Sequence, residues 1–85
     1  MALVRTLNLI GAVHLSRSEL DAALESFLGA LRMAEALGDE ISMARSHNNI
    51  GLVYWDLGRH DEALAAFKRA LAIHERLGPE APLSN

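Results

Sequence analysis

Eighty-five residues with a formal net charge of −3 and no cysteine leave room for one small domain and exclude a disulfide framework and a thiolate metal site. An acidic balance without a basic stripe argues against nucleic acid as a partner, because phosphate binding needs concentrated positive charge. Hydrophobic residues make up 51% of the chain and aromatics only 5%; the surplus is Ala and Leu, which suits closely packed helices, so the chain reads as all-α.

Apolar spacing and breakers predict four helices. The first runs from about Ala2 to Ser16, with Leu3, Leu7, Ile10 and His14 on one stripe. Arg5 ahead of an apolar stretch imitates a secretory segment. Asn8 and His14 interrupt that stretch, and the same register recurs at 41–55, so it reads as a repeat helix. No apolar run approaches the ~20 residues that span a bilayer, and no membrane partner is expected. Arg17 and Ser18 form a turn, with Ser18 expected to cap the next helix. The second helix, about Glu19 to Leu37, places Leu20, Ala23, Leu24, Phe27, Ala30, Leu31 and Ala34 at three- and four-residue steps, and Gly38 ends it. Asp39 offers a cap for the third, about Glu40 to Leu57, whose inner stripe is Met43, His47, Ile50, Tyr54 and Leu57; Gly58 closes it. The fourth, about Asp61 to Leu77, carries Ala63, Leu64, Phe67, Ala70, Leu71 and His74. Gly78 and Pro79 stop it, and Pro82 keeps the tail from continuing as helix, so 80–85 is expected to be flexible.

Shifted by 40 residues, the chain falls on itself: Arg5, Asn8, Ile10, Gly11 and Val13 become Arg45, Asn48, Ile50, Gly51 and Val53. Asp21, Ala23, Leu24, Phe27, Ala30, Leu31, Glu35, Leu37 and Gly38 return as Asp61, Ala63, Leu64, Phe67, Ala70, Leu71, Glu75, Leu77 and Gly78. A period of this length means stacked helical repeats, each unable to bury its apolar face alone. The simplest partition is one domain over 1–79, with repeat one at 1–39 and repeat two at 40–79. Repeats of this kind shape a surface that holds something else, so a binding module is expected.

These residues resemble the tetratricopeptide repeat (TPR): a small residue after an aliphatic in the first helix, an aromatic one turn on, then Ala, an aromatic and Ala in the second. Ile50, Gly51, Tyr54, Leu57, Gly58, Ala63, Phe67 and Ala70 match in order, and Ile10, Gly11, Ala23, Phe27 and Ala30 match in the first copy. Gly11 and Gly51 lack a Cβ and let a partner helix come close, Ala23 and Ala63 serve the same contact, and Phe27 and Phe67 are expected to fill the wedge between hairpins. The pattern departs from the family where His14 replaces the usual aromatic, where Leu7 and His47 replace the usual Trp, and where no proline separates the repeats. The unit is also longer than the common one of about 34 residues, and in this it resembles repeats of kinesin light chains, polarity scaffolds and bacterial regulators. The resemblance implies two helix-turn-helix hairpins in a right-handed solenoid segment.

In such solenoids the first helix of each pair lines the concave surface, which here implies a peptide-binding face of Arg5, Asn8, Ala12 and Leu15, then Arg45, Asn48, Leu52 and Trp55, with Asn49 beside them. Asn donates and accepts at once, so Asn8 and Asn48 suit the N–H and C=O of an extended backbone. Arg5 and Arg45 suit a carboxylate, and Trp55 an apolar anchor. The competing reading has Arg45 and Asn49 bonding locally at helical spacing and Trp55 packing on the neighbouring hairpin.

Nothing in the sequence suggests chemistry. His14, His47 and His74 fall on inner stripes and His60 in a turn, without the paired spacing of a metal site, so no metal or cofactor is expected. Ser16, Ser18, Asp21 and Glu25 have helix-start roles, and no phosphate-binding glycine loop is present, which argues against an enzyme. Both ends of the repeat array carry apolar residues: Leu3, Val4 and Leu7 (with Leu9) at one, Leu64, Phe67, Leu71 and Ile73 at the other. Such surfaces mark association, so self-association as a homodimer or higher oligomer is expected, with hairpin exchange through Leu37, Gly38, Asp39 and Glu40 as one route; the chain being a piece of a longer protein is the competing explanation. The expected function is a cytoplasmic protein-binding or peptide-binding adaptor. The alternative is a sensory or assembly segment of a larger bacterial signalling or transcription regulator.

Overall fold

A computed structural model of the chain describes residues 2–78. The described residues form four helices, α1 (Ala2–Ser16), α2 (Leu20–Leu37), α3 (Glu40–Asp56) and α4 (His60–Leu77), and no strand. Helix ends fall within a residue or so of those expected from the breakers. The expected tail at 80–85, with Pro79 and Pro82, lies outside the described residues.

The helices pair as two hairpins, α1 with α2 and α3 with α4. α2 packs on α3 to join them, α1 touches α3 more lightly, and the backbone of α4 lies against that of α3. The turn inside each hairpin is built the same way. Glu19 N–H donates to the His14 carbonyl at 2.8 Å, and Arg59 N–H donates to the Tyr54 carbonyl at 2.9 Å. Position 58 is glycine with φ +79°, and its counterpart Ser18 holds φ +60°. This corrects the expected Ser18 cap: the residue ends α1 in the left-handed region, and α2 starts from Glu19 without a side-chain cap bond.

The link between hairpins is short, and both of its backbone N–H groups are bonded. Gly38 adopts the left-handed conformation (φ +68°), Gly38 N–H bonds the Glu35 carbonyl and Asp39 N–H bonds the Ala34 carbonyl, the pairing that satisfies the last carbonyls of a helix. Asp39 caps α3 as expected, accepting from Ser42 N–H at 3.2 Å and from the Ser42 hydroxyl at 2.6 Å. The hydroxyl bond is the main reason the Asp39 carboxyl sits below its ordinary range, against a smaller opposing effect of burial. Asp39→Ala is expected to cost about 1 kcal/mol and to lower the melting temperature by about 4–8 °C; thermal unfolding followed by circular dichroism checks it.

The core is built on small residues. Phe27 is fully buried among Ala23, Ile50, Val53 and Ala66, Val4 packs with Ala30 and Ala34, and Ala44 packs with Ala70 and Ile73. A Cβ on Gly11 would stand 2.5 Å from Phe27 Cε1, and one on Gly51 would stand 2.6 Å from Phe67 Cε1. Each ring therefore lies on the glycine of its own hairpin, and Phe27 in addition reaches the next hairpin through Ile50 and Val53.

The stripe expected on α1 is corrected by one position. Val4 is buried while Leu3 and Ile10 are exposed, because α1 turns Val4 toward α2 and no other described helix covers its remaining apolar side. Leu57, expected on the inner stripe of α3, is exposed just past the helix end. The proposed association residues are also regrouped. Val4 and Ile73 belong to the core and Leu7 and Phe67 are half-buried, so neither Val4 nor Ile73 is available to a partner; Leu3, Leu64 and Leu71 are exposed. Among the described residues no helix is long and apolar enough to cross a membrane.

Candidate functional site

Side by side, α1 and α3 enclose an open groove of about 730 Å³. Arg5, Asn8 and Ala12 line it from α1, and Arg45, Asn48 and Asn49 from α3. The repeat explains this: residues 40 positions apart occupy equivalent places on two neighbouring helices, so each polar position of one helix finds its copy alongside. The copies are not independent. Asn49 Nδ2 donates to Asn8 Oδ1 across the two hairpins at a long 3.4 Å, while Asn48, the counterpart of Asn8, stands exposed. Arg5 and Arg45 are exposed, line the groove and enter none of the ion pairs among the described residues, while Arg45 contributes, as the smallest of the causes, to the lowered pKa of Asp39.

The groove lining also takes in groups that the sequence does not mark for this face. Asp39 and Ser42 lie there, and His74 reaches in from α4. The antiparallel hairpin brings the end of α4 to the start of α3, where Arg76 pairs with Glu40. The buried Nδ1 of His74 has no hydrogen-bond partner among the described residues. The spacing marks His74 only as an inner-stripe residue, and its place at the groove depends on how the two helix ends meet. Asp39 carried a signal as a cap, though not as a wall.

Three residues expected on this face lie off the groove. Leu15 turns inward against the Phe27 core. Leu52 is exposed outside the lining set. Trp55 is exposed too, and its ring lies on that of His60 with centroids 4.2 Å apart, next to Arg59, which stands 5.2 Å above the Tyr54 ring. A smaller hollow of about 330 Å³ is lined by Leu28 and Leu31 of α2, His47 and Tyr54 of α3 and Arg69 of α4, among others. Burial there lowers the pKa of His47 below its ordinary value, with Arg69 adding to the effect and Glu35 opposing it. No group of three or more His, Cys, Asp or Glu among the described residues is placed to hold a metal ion.

A family model of the tetratricopeptide repeat matches residues 3–82, nearly the whole chain, in agreement with the two glycine-on-phenylalanine hairpins. The chain belongs to the TPR family. Comparison with curated proteins and with solved structures found no match. TPR units mediate protein–protein interaction, and a face of paired Asn and Arg side chains across adjacent helices is chemically suited to that role. The TPR groove offers amide donors and acceptors suited to a main chain, and exposed cations suited to acidic side chains.

Proposed function

We propose that the chain is an adaptor module that holds an extended peptide segment of a partner protein in the groove between α1 and α3. One observation carries the reading: Arg5, Asn8, Arg45, Asn48 and Asn49, spread over two helices and two repeats, line the same groove. Asn48 and the outward amide of Asn8 take the N–H and C=O of the peptide, while Arg5 and Arg45 favour an acidic sequence. The contact between Asn49 and Asn8 fixes the amide orientation, which reduces the ordering that binding must supply. Trp55, Leu52 and Leu15 have no part in this groove.

An acidic extended peptide selected from a random library on the wild-type protein provides the probe. Asn48→Ala combined with Arg45→Ala is expected to weaken its binding at least about tenfold, roughly two lost hydrogen-bonding groups at ~1 kcal/mol each, with helix content unchanged. Unaltered affinity in a fluorescence titration would place the peptide on another face.

A second part of the reading is self-association, favoured by the exposed apolar residues Leu3, Ile10, Val13, Leu64 and Leu71. The long repeat unit is consistent with the form found in kinesin light chains, polarity scaffolds and bacterial regulators. The alternative role, as an assembly or sensory segment of a larger bacterial regulator, uses the same association faces and predicts no peptide affinity, so the titration separates the two.

A further inference from the structure

Residues one repeat apart report what each open face is built to meet. Ile50 and Val53 of α3 are 5% and 0% exposed, and their counterparts on α1, Ile10 and Val13, are 42% and 54% exposed. The difference is α2, whose Phe27, Leu24, Leu28 and Leu31 pack in the cluster that holds Ile50 and Val53. The other end shows the complement. Leu24 and Leu31 are half-buried in that cluster, whereas their counterparts on α4, Leu64 and Leu71, are 49% and 56% exposed. One face therefore has the surface of α3 without an α2 upon it, and the other has the surface of α2 without an α3 beneath it.

We infer that a second copy of this chain docks head to tail, with α4 of one copy on α1 of the next, repeating between molecules the α2-on-α3 packing made within each. The inference rests on the self-association reading and specifies its geometry. Leu64 and Leu71 cover Ile10 and Val13 of the next copy, and Leu3 takes the place of Met43, which is half-buried against Ala30 and Ala34. The charges agree with this pairing. Inside the chain, Leu28 shares a hollow with Tyr54, over which Arg59 lies. Across the junction the position of Leu28 is Lys68, and the position of Arg59 is Glu19, which within its own chain lies 2.7 Å from the His14 ring and 3.8 Å from Arg17 Nε. A cation has entered one face where, on the other, a cation has been exchanged for an anion.

The geometry has a consequence for binding. The two surfaces differ, so the contact does not close on itself at two copies, and each addition extends the array by two hairpins. The Arg5 and Asn8 positions of one copy then follow the Arg45 and Asn48 positions of its neighbour, which lengthens the groove.

Two variants of the full chain test this, Ile10→Glu with Val13→Glu, and Leu64→Glu with Leu71→Glu. All four side chains are exposed, so helix content by circular dichroism is expected to match wild type. In sedimentation experiments the wild type is expected to grow beyond a dimer as concentration rises. Each variant alone is expected to remain monomeric, and an equimolar mixture is expected to reach a dimer and stop, because one intact head meets one intact tail. A variant that still dimerises alone overturns the head-to-tail geometry in favour of a two-fold contact, as does wild-type association that neither variant weakens. A mixture that stays monomeric overturns the pairing of α4 with α1. A wild type monomeric up to ~1 mM overturns self-association as a whole and leaves the peptide groove standing. As a milder probe independent of the apolar changes, Lys68→Glu is expected to weaken association at least threefold and Glu19→Lys in the same chain to restore it; no loss, or no rescue, counts against the charge match.

Discussion

Phe27→Ala is expected to lower the unfolding free energy by about 3–5 kcal/mol, a large part of the roughly 5–15 kcal/mol available to a domain. The ring is wholly buried, rests on Gly11 within its hairpin and packs with Ile50 and Val53 of the next. Removing it opens a cavity where the two hairpins meet. The surroundings cannot close that cavity easily, since the facing positions Gly11 and Ala23 are already as small as residues come. Phe67→Ala is the internal control. That ring makes the equivalent contact with Gly51 but is only half-buried, so a clearly smaller loss is expected. Urea denaturation of both variants measures the difference, and equal losses would mean that Phe27 does not join the hairpins in the way described.

The same comparison shows what the sequence makes legible and what it does not. Helix existence and limits were readable because Gly38, Gly58 and Gly78 all hold positive φ, and a glycine after a periodic run announces that conformation in the chain itself. Ser18 takes the same conformation with a side chain, so no glycine marks the end of α1 and the serine resembles a cap in the sequence. The glycine-and-phenylalanine pairing was also readable, because repetition at 40 residues marks both partners twice. Burial on α1 was not. Ile10 and Ile50 are the same residue at equivalent positions, and only the presence of α2 over one of them decides which is covered. Of the groove, the repeated positions Arg5, Asn8, Arg45 and Asn48 came from the period, whereas His74 entered through tertiary packing of a helix end. Trp55 shares the register of Arg45 and Asn48 on α3, yet it lies outside the groove lining with its ring on that of His60 across the hairpin turn, a contact that register alone does not show.

Gly11→Ala is expected to destabilise by about 1–3 kcal/mol, although alanine in a helix interior is favoured over glycine by about 1 kcal/mol. The added methyl would stand 2.5 Å from Cε1 and 2.7 Å from Cδ1 of Phe27, too close for van der Waals contact. Phe27 is held on its other side by Ile50, Val53 and Ala66, so the ring cannot swing away; α1 must move off α2 instead. Gly51→Ala creates the same clash, 2.6 Å to Cε1 of Phe67, but against a half-buried ring that can turn toward solvent, so the helix preference for alanine offsets more of the cost. The expected order of urea midpoints is therefore wild type above or near Gly51→Ala, and both above Gly11→Ala. A Gly11→Ala midpoint at or above wild type would show that Phe27 has room to move. The displacement of α1 also reaches the site: Arg5, Asn8 and Ala12 ride on that helix and Arg45, Asn48 and Asn49 on α3, so Gly11→Ala widens the groove and pulls Asn8 from Asn49. Peptide affinity is then expected to fall in Gly11→Ala even at temperatures where the domain stays folded, and to hold in Gly51→Ala.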